Sequence, residues 1–223
     1  MMTIKTVVFD LDGTLADTSA DLLAAANACF VQSGHGAVLT AADTLVAFQG
    51  GRVMLRTGYD RLGLAWTEAD ISRDYARLVA HYADAIDTHT QLYPGAVTAV
   101  MALRATGYAT AICTNKPAGL AETLLARLGI RHLFDALVGA DTLPVRKPDP
   151  APYALAVTQA GGVVARSMLI GDTETDRNTA KAAGVPVALV TFGPEGHGVS
   201  RLSPEALLDH FDDLPKLAQR LLG

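Results

Sequence analysis

The sequence predicts an α/β fold: a Rossmann-like, doubly wound parallel sheet with a small all-helical domain inserted after the first strand. Two observations support this prediction. Short apolar runs alternate with helix-like stretches along most of the chain, and such alternation is typical of a parallel sheet covered by helices. One long segment after the first run has helical periodicity throughout and contains no strand-like run.

The strand-like runs are short and rich in β-branched residues, as expected for buried strands. They lie at Thr6–Phe9, Ala109–Cys113, Ala136–Val138, Met168–Ile170 and Val187–Thr191. Helix-like stretches separate the later runs, at residues 96–106, 118–128, 151–160 and 175–183. A glycine that can end the helix follows each of them, at Gly107, Gly129, Gly161 and Gly184.

The helical segment extends from Asp17 to about Asp87, with apolar residues at helical spacing such as Leu22, Ala26 and Phe30. Tyr93-Pro94-Gly95 then marks a loop, because proline and glycine together interrupt regular structure. We therefore expect an α/β core domain of residues 1–15 and 88–223 and a helical cap domain of residues 16–87.

Composition limits the classes of function. Of the 223 residues, 50% are hydrophobic and 18% charged, which indicates an ordered globular protein. The net charge of −5 and the lack of a basic run argue against nucleic-acid binding. Two cysteines are too few for a disulfide framework, and no apolar run approaches the roughly 20 residues of a membrane span. We expect a cytoplasmic monomer or homodimer without a nucleic-acid or membrane partner.

Carboxylates follow two of the predicted strands. Asp10 and Asp12 come after the first strand, and residues two apart in an extended segment share a face. Asp172 and Asp176 come after the run at 168–170. In an open parallel sheet, ligand sites form outside the carboxyl ends of the strands. Asp10 and Asp12 alone would also fit an ordinary turn that leads into a helix.

Groups that could bind an anion follow the other strands. Thr114-Asn115-Lys116-Pro117 places a hydroxyl and backbone N–H groups at the start of a helix, a pattern that suits a phosphate and equally an ordinary N-cap. Lys147 precedes a proline that restricts the chain to an extended path. Four acids against this one lysine predict a hard divalent cation, and Mg²⁺ is the usual ion of phosphoryl transfer.

Taken together, these motifs resemble the haloacid dehalogenase superfamily, in its phosphatase branch with a helical cap inserted after the first strand. The matching segments are Asp10-x-Asp12-Gly13-Thr14, Thr114, Lys147 and Gly171-Asp172-x-x-x-Asp176. They occur in the family's order along nearly the whole chain. Thr114-Asn115-Lys116-Pro117 and Ala180-Lys181-Ala182-Ala183-Gly184 look most like phosphoglycolate phosphatases.

The resemblance implies a Mg²⁺-dependent phosphatase for a small organic phosphate, with 2-phosphoglycolate as the first expectation. Asp10 would be the nucleophile that forms an aspartyl-phosphate, and Asp12 the general acid and base. The metal ligands implied are Asp10, Asp172 and the backbone carbonyl of Asp12, with Asp176 supporting the metal's water shell.

The resemblance also implies a phosphoryl-binding set and leaves two other functions open. Thr114, the Asn115 backbone and Lys147 would hold the phosphoryl oxygens. Arg52 in the cap could pair with a substrate carboxylate or be an exposed arginine at a helix start. The open alternatives are a sugar-phosphate mutase, which shares the core and the aspartyl-phosphate, and a non-catalytic binding module. The glycine-rich segment 193–198 is expected to form a flexible loop after the last strand.

Overall fold

The computed structural model describes residues 4–223. The chain forms two compact units: an α/β unit that ends at Ala16 and resumes over Leu92–Gly223, and a helical unit over Asp17–Gln91. The strands are β1 (Ile4–Phe9), β2 (Ala16–Asp17), β3 (Gln91–Leu92), β4 (Ala109–Cys113), β5 (Ala136–Val138), β6 (Gly162–Gly171), β7 (Val187–Val190) and β8 (Ala206–Leu208). The helices are α1 (Ser19–Gln32), α2 (Thr44–Phe48), α3 (Gly51–Arg61), α4 (Glu68–Asp84), α5 (Ala96–Ala105), α6 (Ala118–Arg127), α7 (Pro150–Gln159), α8 (Glu174–Ala183) and α9 (Leu214–Leu222).

The α/β unit is built on a six-stranded parallel sheet with strand order β5-β4-β1-β6-β7-β8, which confirms the predicted fold class. β1 lies inside the sheet, with Phe9 beside Ile112 of β4 and Ile170 of β6. Because the strands are parallel, the loops that follow β1, β4 and β6 leave from the same edge. This register determines where the functional side chains meet.

The core of the α/β unit consists of strand residues that face helices on either side. Val7, Val8 and Phe9 are completely buried, as are most residues of β4 and β7. A strand buried on both faces needs a continuous apolar run, which is the pattern recognised in the sequence. The predicted glycine stops all have positive φ, at Gly107, Gly129, Gly161 and Gly184.

The sequence prediction of the C-terminal part was incomplete. The segment Val187–Val190 is not the last strand, because β8 and α9 follow it. The glycine-rich segment does not form a flexible loop throughout, since Gly196–Leu202 is a 3₁₀ helix whose Val199 is buried. β6 also begins at Gly162, well before the predicted run. Its first half alternates between partial burial and exposure, so it lacked the apolar signal of a buried strand.

The helical unit packs around α1, which contacts α2, α3 and α4. Close packing against α3 depends on Gly58, where a Cβ would lie 2.1 Å from the ring of Phe30. The same ring meets Tyr59 edge to face, with centroids 5.8 Å apart. None of the helices between residues 4 and 223 is both long and apolar enough to cross a membrane.

A buried carboxylate joins two parts of the helical unit. Asp43 accepts hydrogen bonds from the backbone N–H of Thr40, at 2.7 Å, and from the guanidinium of Arg61. The guanidinium and the Thr40 N–H together hold the pKa of Asp43 well below its usual range. The contact therefore stabilises the unit mainly when Asp43 is ionised.

We expect Asp43→Asn to lower the free energy of unfolding at pH 7 by about 1–2 kcal/mol, because it removes a charge-assisted hydrogen bond. A lowered pKa stabilises the fold above the unfolded pKa of about 4, and this stabilisation is lost as the pH falls. The difference between variant and wild type, measured by urea unfolding, should therefore be clearly smaller at pH 2 than at pH 7. Asp84→Asn, which changes an exposed aspartate at the end of α4, is the control and should match wild type at both pH values.

Candidate active site

A tight loop after β1 presents the first two aspartates. The Asp10 N–H donates to the carbonyl of Ile170, at 2.9 Å, which continues the β1–β6 pairing. Leu11 is completely buried and anchors the loop, while its carbonyl accepts the N–H of Leu15, at 3.0 Å. The side chains on either side of Leu11 stay partly accessible, 13% exposed for Asp10 and 20% for Asp12. The loop thus fixes the backbone and leaves both carboxylates within reach of a ligand.

Lys147 is the central cation of the site. Its ammonium lies 3.0 Å from Oδ2 of Asp10 and 2.7 Å from Oδ1 of Asp176. The lysine is 2% exposed, and the side-chain amide of Asn115 donates to its carbonyl oxygen at 3.0 Å. Burial disfavours the charged form of Lys147, but the negative charges of Asp10 and Asp176 outweigh this effect. The pKa of Lys147 is therefore raised well above its usual value. The lysine is therefore a fixed positive charge.

Asp176 lies in the first turn of α8 and is held on both oxygens. Its Oδ2 accepts from the Thr173 hydroxyl, at 2.8 Å, and its Oδ1 binds Lys147. The preceding strand must end in glycine, because a Cβ at Gly171 would lie 2.4 Å from the Cβ and Cγ of Asp176. These contacts make Asp176 a rigid part of the site.

Asp172 has one oxygen satisfied and one open. Its Oδ1 accepts a hydrogen bond from the Thr14 hydroxyl at 2.8 Å. Its Oδ2 is buried and has no hydrogen-bond partner among residues 4–223. Burial, together with the charges of Asp176 and Asp10, raises the pKa of Asp172 well above its usual value. A buried carboxylate oxygen without a hydrogen-bond donor is suited to a cation.

The carboxylates of Asp10, Asp172 and Asp176 form one cluster whose closest ligand atoms lie within 4.8 Å of one another. Burial, aided by the charges of Asp176 and Asp12, raises the pKa of Asp10 to about 6 despite Lys147. A hard divalent cation prefers oxygen ligands of this kind and would relieve the repulsion between them. The residues present therefore fit such an ion.

The carboxylate of Asp12 lies apart from this cluster and binds a second lysine. Nζ of Lys116 is 2.7 Å from Oδ1 and 2.9 Å from Oδ2 of Asp12. Lys116 lies in the segment Thr114-Asn115-Lys116-Pro117, whose pattern does not by itself predict a role in the site for the lysine. The expectation of one lysine among four acids was wrong, because Lys116 and Lys147 are both buried at the site. With all four acids ionised, two negative charges remain in excess.

Thr114 and Asn115 follow β4 at the same sheet edge. The Thr114 N–H donates to the carbonyl of Val138, at 3.0 Å, and its hydroxyl accepts the N–H of Lys116, at 3.1 Å. Thr114 is 3% exposed. The structure thus places the second motif beside the first through the pairing of β4 with β1.

Arg52 lies in α3 of the helical unit, and its guanidinium contacts two side chains of α4. Its guanidinium stacks over the ring of Tyr75, 5.0 Å from the centroid, and donates to the hydroxyl of Ser72 at 3.2 Å. Its role in binding a substrate carboxylate stays a prediction.

Comparison with known proteins agrees with this geometry. The family model of haloacid dehalogenase-like hydrolases matches residues 7–190, which include all four motifs. The chain belongs to this family.

Relatives within the haloacid dehalogenase-like hydrolases are similar over nearly their whole length. The chain is 39% identical to the phosphoglycolate phosphatase of Mesorhizobium japonicum, over 97% of this chain and 96% of that protein. It is 41% identical to a phosphoglycolate phosphatase of Cereibacter sphaeroides, over 97% and 99%. A crystal structure described as a predicted phosphoglycolate phosphatase from Haemophilus somnus superposes with a TM-score of 0.83 at 26% identity, covering 98% of this chain and all of that one. The chain is therefore a phosphoglycolate phosphatase-like member of the family.

We expect a divalent cation to stabilise the protein through the three-aspartate cluster. At a concentration about 100 times its Kd, the ion should add about 2.7 kcal/mol of stability, or about 5–10 °C in Tm. Asp172→Asn should abolish this shift without lowering the Tm of the metal-free protein, because it also removes a like-charge repulsion. Asp84→Asn serves as the control and should keep the shift. An equal shift in Asp172→Asn and wild type, measured by thermal denaturation, would contradict this assignment.

Proposed function

We propose that this protein hydrolyses a small phosphomonoester, 2-phosphoglycolate, in a Mg²⁺-dependent reaction that passes through an aspartyl-phosphate on Asp10. The observation that carries the proposal is the contact of buried Lys147 with Asp10, beside the open oxygen of Asp172. This contact holds a nucleophile next to a place for phosphate and cation. The substrate is supported by the relatives at 39% and 41% identity that are phosphoglycolate phosphatases.

In the first half of the reaction, a carboxylate oxygen of Asp10 attacks phosphorus in line with the leaving group. The Leu11 N–H, 2.7 Å from Oδ1, and Lys147, near Oδ2, hold the carboxylate for this attack. The bond from phosphorus to the ester oxygen breaks, and Asp12 gives its proton to the departing alkoxide. The products are the alcohol and a phosphorylated Asp10.

In the second half, water replaces the enzyme carboxylate on phosphorus. Asp12, now ionised, takes a proton from the water as the water attacks. The bond between Asp10 and phosphorus breaks, inorganic phosphate leaves, and both aspartates return to their starting states. One residue thus serves both halves, because its charge alternates between them.

The phosphoryl group carries negative charge that the site must balance. Lys147, the hydroxyl of Thr114 and the backbone N–H of Asn115 are the proposed partners of its oxygens. The proposed Mg²⁺ ligands are Asp10, Asp172 and the backbone carbonyl of Asp12, while Asp176 supports the water shell. When bound, Mg²⁺ supplies further positive charge to the phosphoryl oxygens. Arg52 is the proposed partner of the substrate carboxylate.

We expect Asp10→Asn to reduce kcat by more than about 100-fold, a loss above roughly 3 kcal/mol of transition-state stabilisation. The amide keeps the shape of the carboxylate but is a poor nucleophile. Phosphate release is the measurement, and Asp84→Asn is the matched control on the surface. Activity above about a hundredth of wild type, in a variant with normal Tm, would count against the nucleophile.

The substrate is tested by phosphate release from 2-phosphoglycolate beside sugar phosphates, nucleotides and pyrophosphate, with and without Mg²⁺. We expect kcat/KM to be highest for 2-phosphoglycolate and to depend on Mg²⁺. Turnover only in the presence of an activating bisphosphate, without net phosphate release, would indicate a mutase. No turnover of any compound would indicate a binding module.

A further inference from the structure

We propose that Lys116 is a positioning residue that holds the carboxylate of Asp12 in the direction from which it exchanges protons with leaving group and water. This inference rests on the proposed function and adds a residue to it. Its basis is the contact of one ammonium with both oxygens of Asp12, at 2.7 and 2.9 Å.

The backbone of Lys116 is held from both sides. Its N–H donates to the Thr114 hydroxyl at 3.1 Å, and its carbonyl accepts the N–H of Ala140 at 3.0 Å. The approach of the following loop is so close that a Cβ at Gly139 would lie 2.8 Å from that carbonyl and 2.4 Å from the N–H nitrogen of Ala118. The side chain itself is only 3% exposed. Lys116 is therefore a fixed charge rather than a mobile surface lysine.

The carboxylates of Asp12 and Asp10 are held in different ways. Asp10 has a backbone donor on one oxygen and Lys147 on the other, whereas both oxygens of Asp12 meet the same ammonium. A carboxylate on a loop can rotate about two side-chain bonds, and contact at both oxygens selects one direction. Since proton transfer needs hydrogen-bond reach, a small misdirection of Asp12 costs rate rather than binding.

The two buried lysines thus have different tasks. Lys147 contacts Asp10 and Asp176, the nucleophile and the metal-side acid. Lys116 contacts the proton-transfer group. Loss of Lys116 should therefore leave nucleophilic attack intact and impair only the step that needs a proton.

Lys116→Met, which keeps the length of the side chain and removes its charge, tests this through the leaving group. The substrates are substituted phenyl phosphates of similar size, whose phenols differ in acidity. In the first turnover, measured by rapid quench, phenol release should fall less than about threefold for the most acidic phenol and about 100-fold for the least acidic. The rate should thus depend more steeply on phenol acidity than in wild type.

This series separates positioning from binding of a substrate carboxylate, because none of the phenyl phosphates carries one. If Lys116 bound the substrate carboxylate, Lys116→Met would raise KM for 2-phosphoglycolate and leave the whole phenyl series unchanged. That result would overturn the inference. Lys216→Met, at an exposed lysine of α9, controls for the substitution itself and should behave as wild type.

A double-mutant cycle tests whether Lys116 acts through Asp12. The substrate for this cycle is the phenyl phosphate with the most acidic phenol for which Lys116→Met is still slower than wild type. Phenol release from it is measured in Lys116→Met, Asp12→Asn and the double variant. We expect the double variant to match Asp12→Asn, because a positioning residue has no effect once its target is gone. Losses that multiply would contradict the inference. Wild type without activity on any phosphomonoester would instead contradict the proposed function.

Discussion

The contact of Lys147 with Asp10 and Asp176 is the interaction on which the rest of the site depends. A buried ammonium is stable only with anionic partners, and buried carboxylates need a cation in return. Lys147 joins an acid after β1 to an acid in α8, so the loop after β1 and the first turn of α8 are fixed relative to each other. Lys116 neutralises Asp12 in the same way. The open oxygen of Asp172 remains and, with all four acids ionised, so do two excess negative charges, which would suit a divalent cation at this place.

The parallel sheet brings these groups together from distant parts of the sequence. Lys116 and Asp12 are 104 residues apart, and Thr14 and Asp172 are 158 apart. The register places the ends of β1, β4 and β6 at one level, so each following loop delivers its side chains to the same edge. Gly139 lies so close to the backbone of Lys116 and Ala118 that a side chain would not fit there. Gly171 lies equally close to the side chain of Asp176. Fold and chemistry are thus linked through strand register.

Much of this arrangement could be predicted from the sequence, because buried parallel strands and glycine-ended helices leave strong local patterns. β8 was missed, since a three-residue strand carries almost no periodicity. α9 was missed although its nine residues are amphipathic. The cluster of Asp10, Asp172 and Asp176 follows from their places after strands. The pairing of Lys116 with Asp12 does not, because it depends on side-chain directions across two loops. The sequence showed a lysine at a helix start, where a solvated charge is the common case.

In the proposed reaction, Asp10, held by Lys147, carries the phosphoryl group between two displacements. The stereochemical course at phosphorus tests it most directly, with a chiral, isotopically labelled phosphorothioate ester as substrate. Two in-line displacements, one by Asp10 and one by water, each invert the phosphorus centre and so predict net retention. Net inversion would show a single displacement by water and would contradict the account.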